Sequence, residues 1–555
     1  MYGIHCLGLM TEPRLTLHGV SYTLPHGRQL FSDLSATFGA QRTAIVGRNG
    51  VGKSLLARIL AGELMPSCGS VAREGSVHYL PQNPLAAQPR QSIAALAGIE
   101  PALQALERIE QGSCDAQDFE LLAERWDLRQ QFCAQLEQAG LPVLAPQTAA
   151  SQLSGGQAMR VALLGARLAQ ADFLILDEPS NHLDAAGRRA LAEELLQWRG
   201  GLLLISHDRE LLEHMDGIAE LSTGGLSLYG GGYGLYQEAR QQREQNALDE
   251  LARRKLERSR SEQALRSQQE RQSRKQARGE RHGKQANQAK LLLDFGKERA
   301  QASSGRLAAQ HAANREALNQ SVREAAQAID WQAAAIHWHL PDPAAAPGQG
   351  ERLVAELEEV RPPWPAAATP VSLQLRAGQR LAICGPNGCG KSTLLQILAG
   401  QLQPLQGRRL MHVPFAMLDQ GQSLLRPEQS LLEQLLAAAP RTPESLLRMR
   451  LAQLGLDARH VDQPCGRLSG GERLKAAMAC ALYRDEPAQL LLLDEPDNHL
   501  DLPSLQALES MLRQYPGTLV MVSHDAALLQ AVGLTHRLEA VADGWRLQSC
   551  ERPLD

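Results

Sequence analysis

The chain contains the same set of motifs twice, and that duplication limits its fold more than any other feature. GRNGVGKS at Gly47–Ser54 recurs as GPNGCGKS at Gly385–Ser392, and LSGGQ at Leu153–Gln157 recurs as LSGGE at Leu468–Glu472. LILDEPSNHLD at Leu174–Asp184 returns as LLLDEPDNHLD at Leu491–Asp501, and ISHD at Ile205–Asp208 as VSHD at Val522–Asp525. The spacing adds detail. Lys53 and Lys391 are 338 residues apart, as are Gln82 and Gln420, but Ser154 and Ser469 are separated by 315 and Asp177 and Asp494 by 317. The first copy therefore carries about 23 extra residues between Gln82 and Ser154. Length alone divides 555 residues into three or four domain-sized units. The repeat turns that estimate into two homologous modules flanking a segment that belongs to neither.

Each module reads as α/β. The run ending in TAIVG enters a glycine-rich loop, and Leu55–Leu64 follows as a helix. FLILD and GLLLIS are short continuous apolar runs, the pattern of parallel strands covered on both faces. LSGGQAMRVALLGARLA opens with a capping-type serine and continues in helix formers. No apolar run approaches the roughly 18–20 residues that cross a bilayer. The nine cysteines are odd in number and scattered without a CxxC pair, which excludes a zinc ribbon and fits a reducing cytoplasm. The N-terminus has no basic region ahead of its short apolar patch, so no signal peptide is expected, and Met10 is a second candidate start.

The loop GxxxxGK[ST] between strand and helix cradles phosphate. Its glycines let backbone N–H groups face an anion, and the helix N-terminus adds a favourable dipole. Gly47, Asn49, Gly50, Gly52, Lys53 and Ser54 form the first cradle; Gly385, Asn387, Gly388, Gly390, Lys391, Ser392 and Thr393 form the second. A glycine-rich turn with an exposed lysine explains one such loop, but not two in register with everything else. Lys53 and Lys391 would reach the β/γ-phosphates. Ser54, Gln82 and Asp177, and in the second copy Ser392, Gln420 and Asp494, would hold Mg²⁺. Glu178 and Glu495 follow the aspartates and would polarise an attacking water, since phosphoryl transfer asks for positioning and charge neutralisation. His207 and His524, each after an apolar strand, would contact the γ-phosphate.

LSGGQ/E supplies a second anion-binding surface, a serine hydroxyl and bare glycine amides at a helix start. With it the modules resemble ATP-binding cassettes. The resemblance implies that the signature of one module closes over ATP held by the other. One site would join Lys53, Gln82, Asp177, Glu178 and His207 to Ser469, Gly470 and Gly471. The other would join Lys391, Gln420, Asp494, Glu495 and His524 to Ser154, Gly155 and Gly156. It also implies an aromatic stacked on adenine. Tyr22 stands at that place in the first module, with packing on its strand an equal alternative, while the second module has Val360 there and Trp364 nearby.

The overall charge of −4 is an average over unlike parts. Residues Gln237–Asp330 hold 20 Lys+Arg against 13 Asp+Glu, and Leu251–Lys290 alone 13 against 4. From Gln237 to Asp294 there is no proline, valine, isoleucine or aromatic residue. This is a helix-forming composition. A long helix is expected from about Tyr236 to Gly279, a turn region to about Gly305, and a return helix to about Asp330. Leu248, Leu251 and Leu256 provide a narrow apolar stripe. Arginine without interleaved aromatics suits phosphate backbones better than base stacking, while a solvated spacer is the plainer alternative.

The expected architecture is α/β: a cassette at 1–236, a basic helical hairpin at 237–330 and a second cassette at 331–555. The extra residues within 83–152 form either a short arm or an enlarged helical subdomain. Two cassettes, DEPSNHLD and DEPDNHLD, and a basic linker after GGYGLYQEAR together resemble the ABC-F family of translation factors. That resemblance implies a cytoplasmic ATPase, monomeric with its cassettes pairing internally. Its linker would enter the ribosome near the tRNA exit site and touch rRNA and peptidyl-site tRNA. ATP binding would close the cassettes and hydrolysis would release them. A transporter's ATP-binding subunit, docking on separate membrane proteins, is the alternative. A DNA-repair ATPase or the iron–sulfur relative is disfavoured because neither a long inserted coiled coil nor an N-terminal cysteine cluster is present.

Overall fold

The computed structural model describes residues 13–82, 91–122, 125–141, 145–181, 183–285, 312–323, 325, 352–365, 369–419, 424–498, 500–541 and 544–550. The chain separates into two units, one made of Met1–Tyr236 with Ala335–Asp555 and the other of Gln237–Ala334.

The duplication extends to topology. In the first cassette a six-stranded sheet runs in the order Val77–Leu80, Phe173–Asp177, Gly201–Ile205, Arg42–Gly47, Gly217–Ser222, Gly225–Gly230, parallel except for the last hairpin. The second repeats it as Phe415–Leu418, Leu490–Asp494, Thr518–Val522, Arg380–Cys384, His536–Val541, Gly544–Ser549. Each also has a three-stranded antiparallel sheet, with Arg14–Thr23 central in one and Leu353–Arg361 in the other. The strands Phe173–Asp177, Gly201–Ile205, Leu490–Asp494 and Thr518–Val522 are buried along their whole length. Their unbroken apolar runs reflect cover on both faces. The functional residues follow the carboxyl ends of these strands, where open parallel sheets place ligand crevices.

The extra residues of the first cassette can now be located. Ser92 pairs with Ala149 and Ser430 with Pro464 in matching isolated bridges, so the additional length lies between Ser92 and Ala149. Helices Glu100–Glu110, Ala116–Leu122 and Leu128–Gln138 fill that interval. Leu103, Leu128, Phe132 and Leu136 join the cassette core. Arg108 closes on the buried carboxylate of Asp118 at 2.5 Å.

The basic segment begins as one helix, Tyr233–Gln285, longer at both ends than its composition suggested. At 1.5 Å per residue it is about 80 Å long. Of the expected apolar stripe only Leu251 is buried; Leu248 and Leu256 are exposed. A helix this polar gains its local support from pairs one turn apart, such as Arg254–Glu250 at 2.7 Å. Residues 312–323 are helical, in the stretch assigned to the return helix; the expected turn falls largely outside the described residues. Among the described residues no helix is long and apolar enough to cross a membrane.

Candidate functional site: two phosphate cradles joined across a shared face

Both glycine-rich loops end in a left-handed glycine that starts a helix: Gly52 (φ 107°) before Lys53–Ala61 and Gly390 (φ 100°) before Lys391–Ala399. An added Cβ at Gly52 would lie 2.9 Å from the Phe31 ring, so only glycine fits both the dihedral and the space. Each lysine folds back into its loop. Lys53 Nζ donates to the carbonyls of Gly47 (2.7 Å) and Arg48 (3.2 Å), and Lys391 Nζ to those of Gly385 (2.9 Å) and Pro386 (3.0 Å). Both lysines are buried. Burial lowers the Lys53 pKa, against the opposing pull of Glu178, Asp501 and Asp177.

At the next strand end Asp177 and Asp494 are buried beside these lysines. Burial raises both carboxyls, Asp494 to about 6, with the Ser392 hydroxyl, 3.0 Å away, opposing. Asp177 accepts from the Tyr79 hydroxyl at 3.3 Å through Oδ2, while its Oδ1 is buried with no hydrogen-bond partner. An orphaned carboxylate oxygen beside the Ser54 hydroxyl is a donor set suited to a divalent cation such as Mg²⁺. In metal-free protein, Asp494→Asn is expected to raise stability at pH 7.5 by about 1–3 kcal/mol. A raised folded pKa is favourable at low pH and loses that stability as pH rises through about 6, so the gain should vanish below pH ~4. Denaturant titrations at both pH values test this; an equal gain at each would show that charge burial is not its source.

Glu178 and Glu495 are two of the few non-glycine residues with positive φ, at 49° and 46°. The strain turns each carboxylate out of its strand immediately after the aspartate. Glu178 N–H donates to Ile205 O at 2.8 Å and Glu495 N–H to Val522 O at 2.9 Å, which locks the turn to the neighbouring strand. His207 Nε2 lies 3.5 Å from Glu178 Oε1, and His524 Nε2 3.9 Å from Glu495 Oε1. Burial raises the Glu178 pKa and lowers that of His207. Burial, helped by Lys391, brings His524 down to about 4. Both imidazoles are thus neutral at physiological pH. Neither ring nitrogen of His207, nor Nε2 of His524, has a hydrogen-bond partner. In the second site Asn498 Nδ2 also donates to Glu495 Oε2 at 2.6 Å.

In the first cassette these groups surround a cavity of about 530 Å³, lined by Asn49, Gly50, Gly52, Lys53, Ser54, Gln82, Asp177, Glu178 and His207. Its volume suits a nucleotide-sized ligand. Leu24, Arg28 and Leu30 form part of the wall, and the Tyr22 ring lies 6.2 Å from that of Phe31, centroid to centroid. In the second cassette Trp364 is 69% exposed, and its carbonyl lies 3.1 Å from where a Cβ on Gly390 would project, so this aromatic adjoins the second cradle. Gln420 falls outside the described residues.

The second cassette completes the first cavity with Asp497, Asn498, Leu500, Leu505 and Asp525; Ser469, Gly470 and Gly471 are not among its lining. Each signature serine caps its own helix. Ser154 and Gln157, and likewise Ser469 and Glu472, form reciprocal capping boxes at the starts of their helices. The contact that does join the cassettes was not anticipated. Asp501 caps its own helix through Oδ1 (Ser504 N, 3.0 Å) and reaches across through Oδ2 to the Asn49 amide at 2.9 Å. Asp184 repeats this with Gly187 N at 2.9 Å and Asn387 N at 3.2 Å. These bonds outweigh burial and hold both carboxyls below the usual aspartate range. Leu502, one residue after Asp501, is buried in the first cassette's core. The final aspartate of NHLD recurs at the same 317-residue spacing as Asp177 and Asp494, the one mark of this pair in the sequence.

Two P-loop cassettes, each lending an aspartate to the other's phosphate cradle, define an ATP-binding cassette ATPase. The ABC transporter family model matches residues 32–181 and 368–498. The tylosin resistance ATP-binding protein TlrC of Streptomyces fradiae is 31% identical, over 93% of this chain and 96% of that protein. The energy-dependent translational throttle protein EttA of Haemophilus influenzae is 29% identical, over 95% and 92%. Among solved structures, an RNase-L inhibitor matches with a TM-score of 0.55 at 18% identity, covering 96% of this chain and 89% of that one; it supports the tandem-cassette fold. The chain belongs to the ABC-F family of ATP-binding cassette proteins, and it hydrolyses ATP.

Proposed function

We propose that this protein is a cytoplasmic ATPase that binds the ribosome near the tRNA exit site and acts on translation. The observation that carries the reading is the Tyr233–Gln285 helix. It leaves the first cassette without a break and bears most of the Leu251–Lys290 charge, 13 Lys+Arg against 4 Asp+Glu. Such a helix fits a phosphate backbone, here rRNA and peptidyl-site tRNA. The name of one relative, a translational throttle protein, points the same way. The protein works as a monomer whose cassettes pair internally.

In each site the P-loop amides and lysine hold the ATP phosphates. Ser54, Gln82 and Asp177, and in the second site Ser392, Gln420 and Asp494, would hold Mg²⁺, which would supply charge neutralisation for the transferring phosphate. Glu178 and Glu495, turned out by their strained backbone, orient water and take its proton, while neutral His207 and His524 face the γ-phosphate. On closure, Ser469–Gly471 and Ser154–Gly156 cover the nucleotide from the opposite cassette. In a cell-free translation system, Glu178→Gln/Glu495→Gln protein with ATP should arrest synthesis at concentrations comparable to those of ribosomes. Synthesis that continues unchanged would refute the proposal.

A further inference from the structure

The face joining the cassettes is not two-fold symmetric. Arg209 Nη1 meets Glu509 Oε1 across it at 2.5 Å, with both side chains only 15% exposed. By the 317-residue spacing that relates Asp177 to Asp494, the equivalent positions hold Ala526 and Ala192, which cannot pair. A second charged group repeats the bias. Arg188 lies 3.5 Å from Asp208 and lines the same cavity as Asp497, whereas its counterpart is Leu505 and that of Asp497 is Ser180.

The position of Arg209 gives this asymmetry a use. It follows His207 by two residues and begins the short helix Arg209–Glu213, capped by the Asp208 carboxylate. That helix is fastened to the root of the basic helix at both ends. The Arg209 guanidinium lies 5.8 Å from the centroid of the Tyr233 ring, and Glu213 Oε2 accepts the Gly234 amide at 2.9 Å. At Gly232 an added Cβ would approach Glu213 O to 2.5 Å, so the two segments touch at backbone distance. The root is also anchored by Tyr236, which is buried beside the Tyr233 ring and whose hydroxyl donates to Glu220 at 3.1 Å. One arginine therefore contacts the opposite cassette and the first turn of the basic helix together. In the second cassette the corresponding helix has Ala526 and Gln530 in place of Arg209 and Glu213.

We propose that Arg209 is a positioning residue that couples closure of the cassettes to the root of the basic helix, through Glu509 on one side and Tyr233 on the other. A ligand shifts such an element only by contacting its two states differently. A pair that spans the cassette face meets that condition, because any change in cassette separation stretches or seats it. The proposal rests on the basic helix being the working end of the protein. Its test uses no ribosome, so either idea can fail without the other.

In full-length Glu178→Gln/Glu495→Gln protein, ATP should slow amide hydrogen exchange in Tyr233–Arg240 by at least about fivefold. Adding Arg209→Ala should abolish that ATP-dependent slowing, with ATP affinity kept within about threefold. Glu509→Ala, made in the other cassette, should do the same. Tyr236→Phe, which removes only an anchoring hydrogen bond, should speed exchange equally with and without ATP. Persistence of the ATP effect in either Arg209→Ala or Glu509→Ala would overturn the proposal. So would a uniform, ATP-independent rise in Arg209→Ala, which would reduce Arg209 to an anchor like Tyr236.

Discussion

Changing Glu178 and Glu495 together to glutamine is expected to lower ATP turnover by about 10²–10³-fold while leaving ATP bound, the loss typical of removing a positioned general base. The geometry argues for this division. Each glutamate stands beyond the aspartate on a strained residue and faces a neutral histidine at 3.5–3.9 Å. Phosphate binding stays with the loop amides and the lysine. Glutamine keeps the shape of the side chain and cannot accept the water's proton. Single variants should each lose about half of turnover or more, since both sites retain Lys, Asp, Glu and His and neither lacks its machinery. Single-turnover and equilibrium ATP-binding measurements on the three variants separate binding from chemistry. If the double variant turned over ATP at the parent rate, the assignment of these carboxylates would fail.

The second large effect is expected at the basic helix. Arg260, Arg266, Arg271, Arg274 and Arg278 lie in Tyr233–Gln285. Replacing all five by glutamine keeps helix propensity and removes only charge. If each faces a phosphate, ribosome affinity at 150 mM salt should fall by about 10² or more, and the slope of log K against log salt should flatten by about four units. Basal ATPase should be unaffected, because these residues lie far along the chain from both cradles. Equal losses of ATPase and ribosome binding would mean that the helix is a structural strut. An unchanged salt slope would mean that it does not meet nucleic acid.

Much of the molecule could be read directly, because duplicated local chemistry is visible in a single chain. The two glycine-rich loops, the apolar strands ending in Asp-Glu, and the serine-capped signature helices all fall where their motifs predict. The long helix was predictable from composition, but its apolar stripe was overread: Leu248 and Leu256 are exposed, and polar pairs along the helix do the local work. Leu24, Arg28 and Leu30 line the cavity without belonging to any motif, so position along the chain did not reveal them. What stayed hidden were contacts between residues hundreds of positions apart. Asp501 with Asn49, Asp184 with Asn387, and Arg209 with Glu509 leave no periodicity behind. The strain at Glu178 and Glu495 was equally silent, because glutamate carries no sequence mark of a positive φ.

Whether ATP closes the two cassettes on each other and the closed form holds the ribosome is tested most directly by sedimenting the Glu178→Gln/Glu495→Gln protein with purified ribosomes, in ATP and in ADP. Near-stoichiometric co-sedimentation is expected in ATP and little in ADP. Protein that stays in the supernatant with ATP, or that pellets equally with either nucleotide, would contradict it.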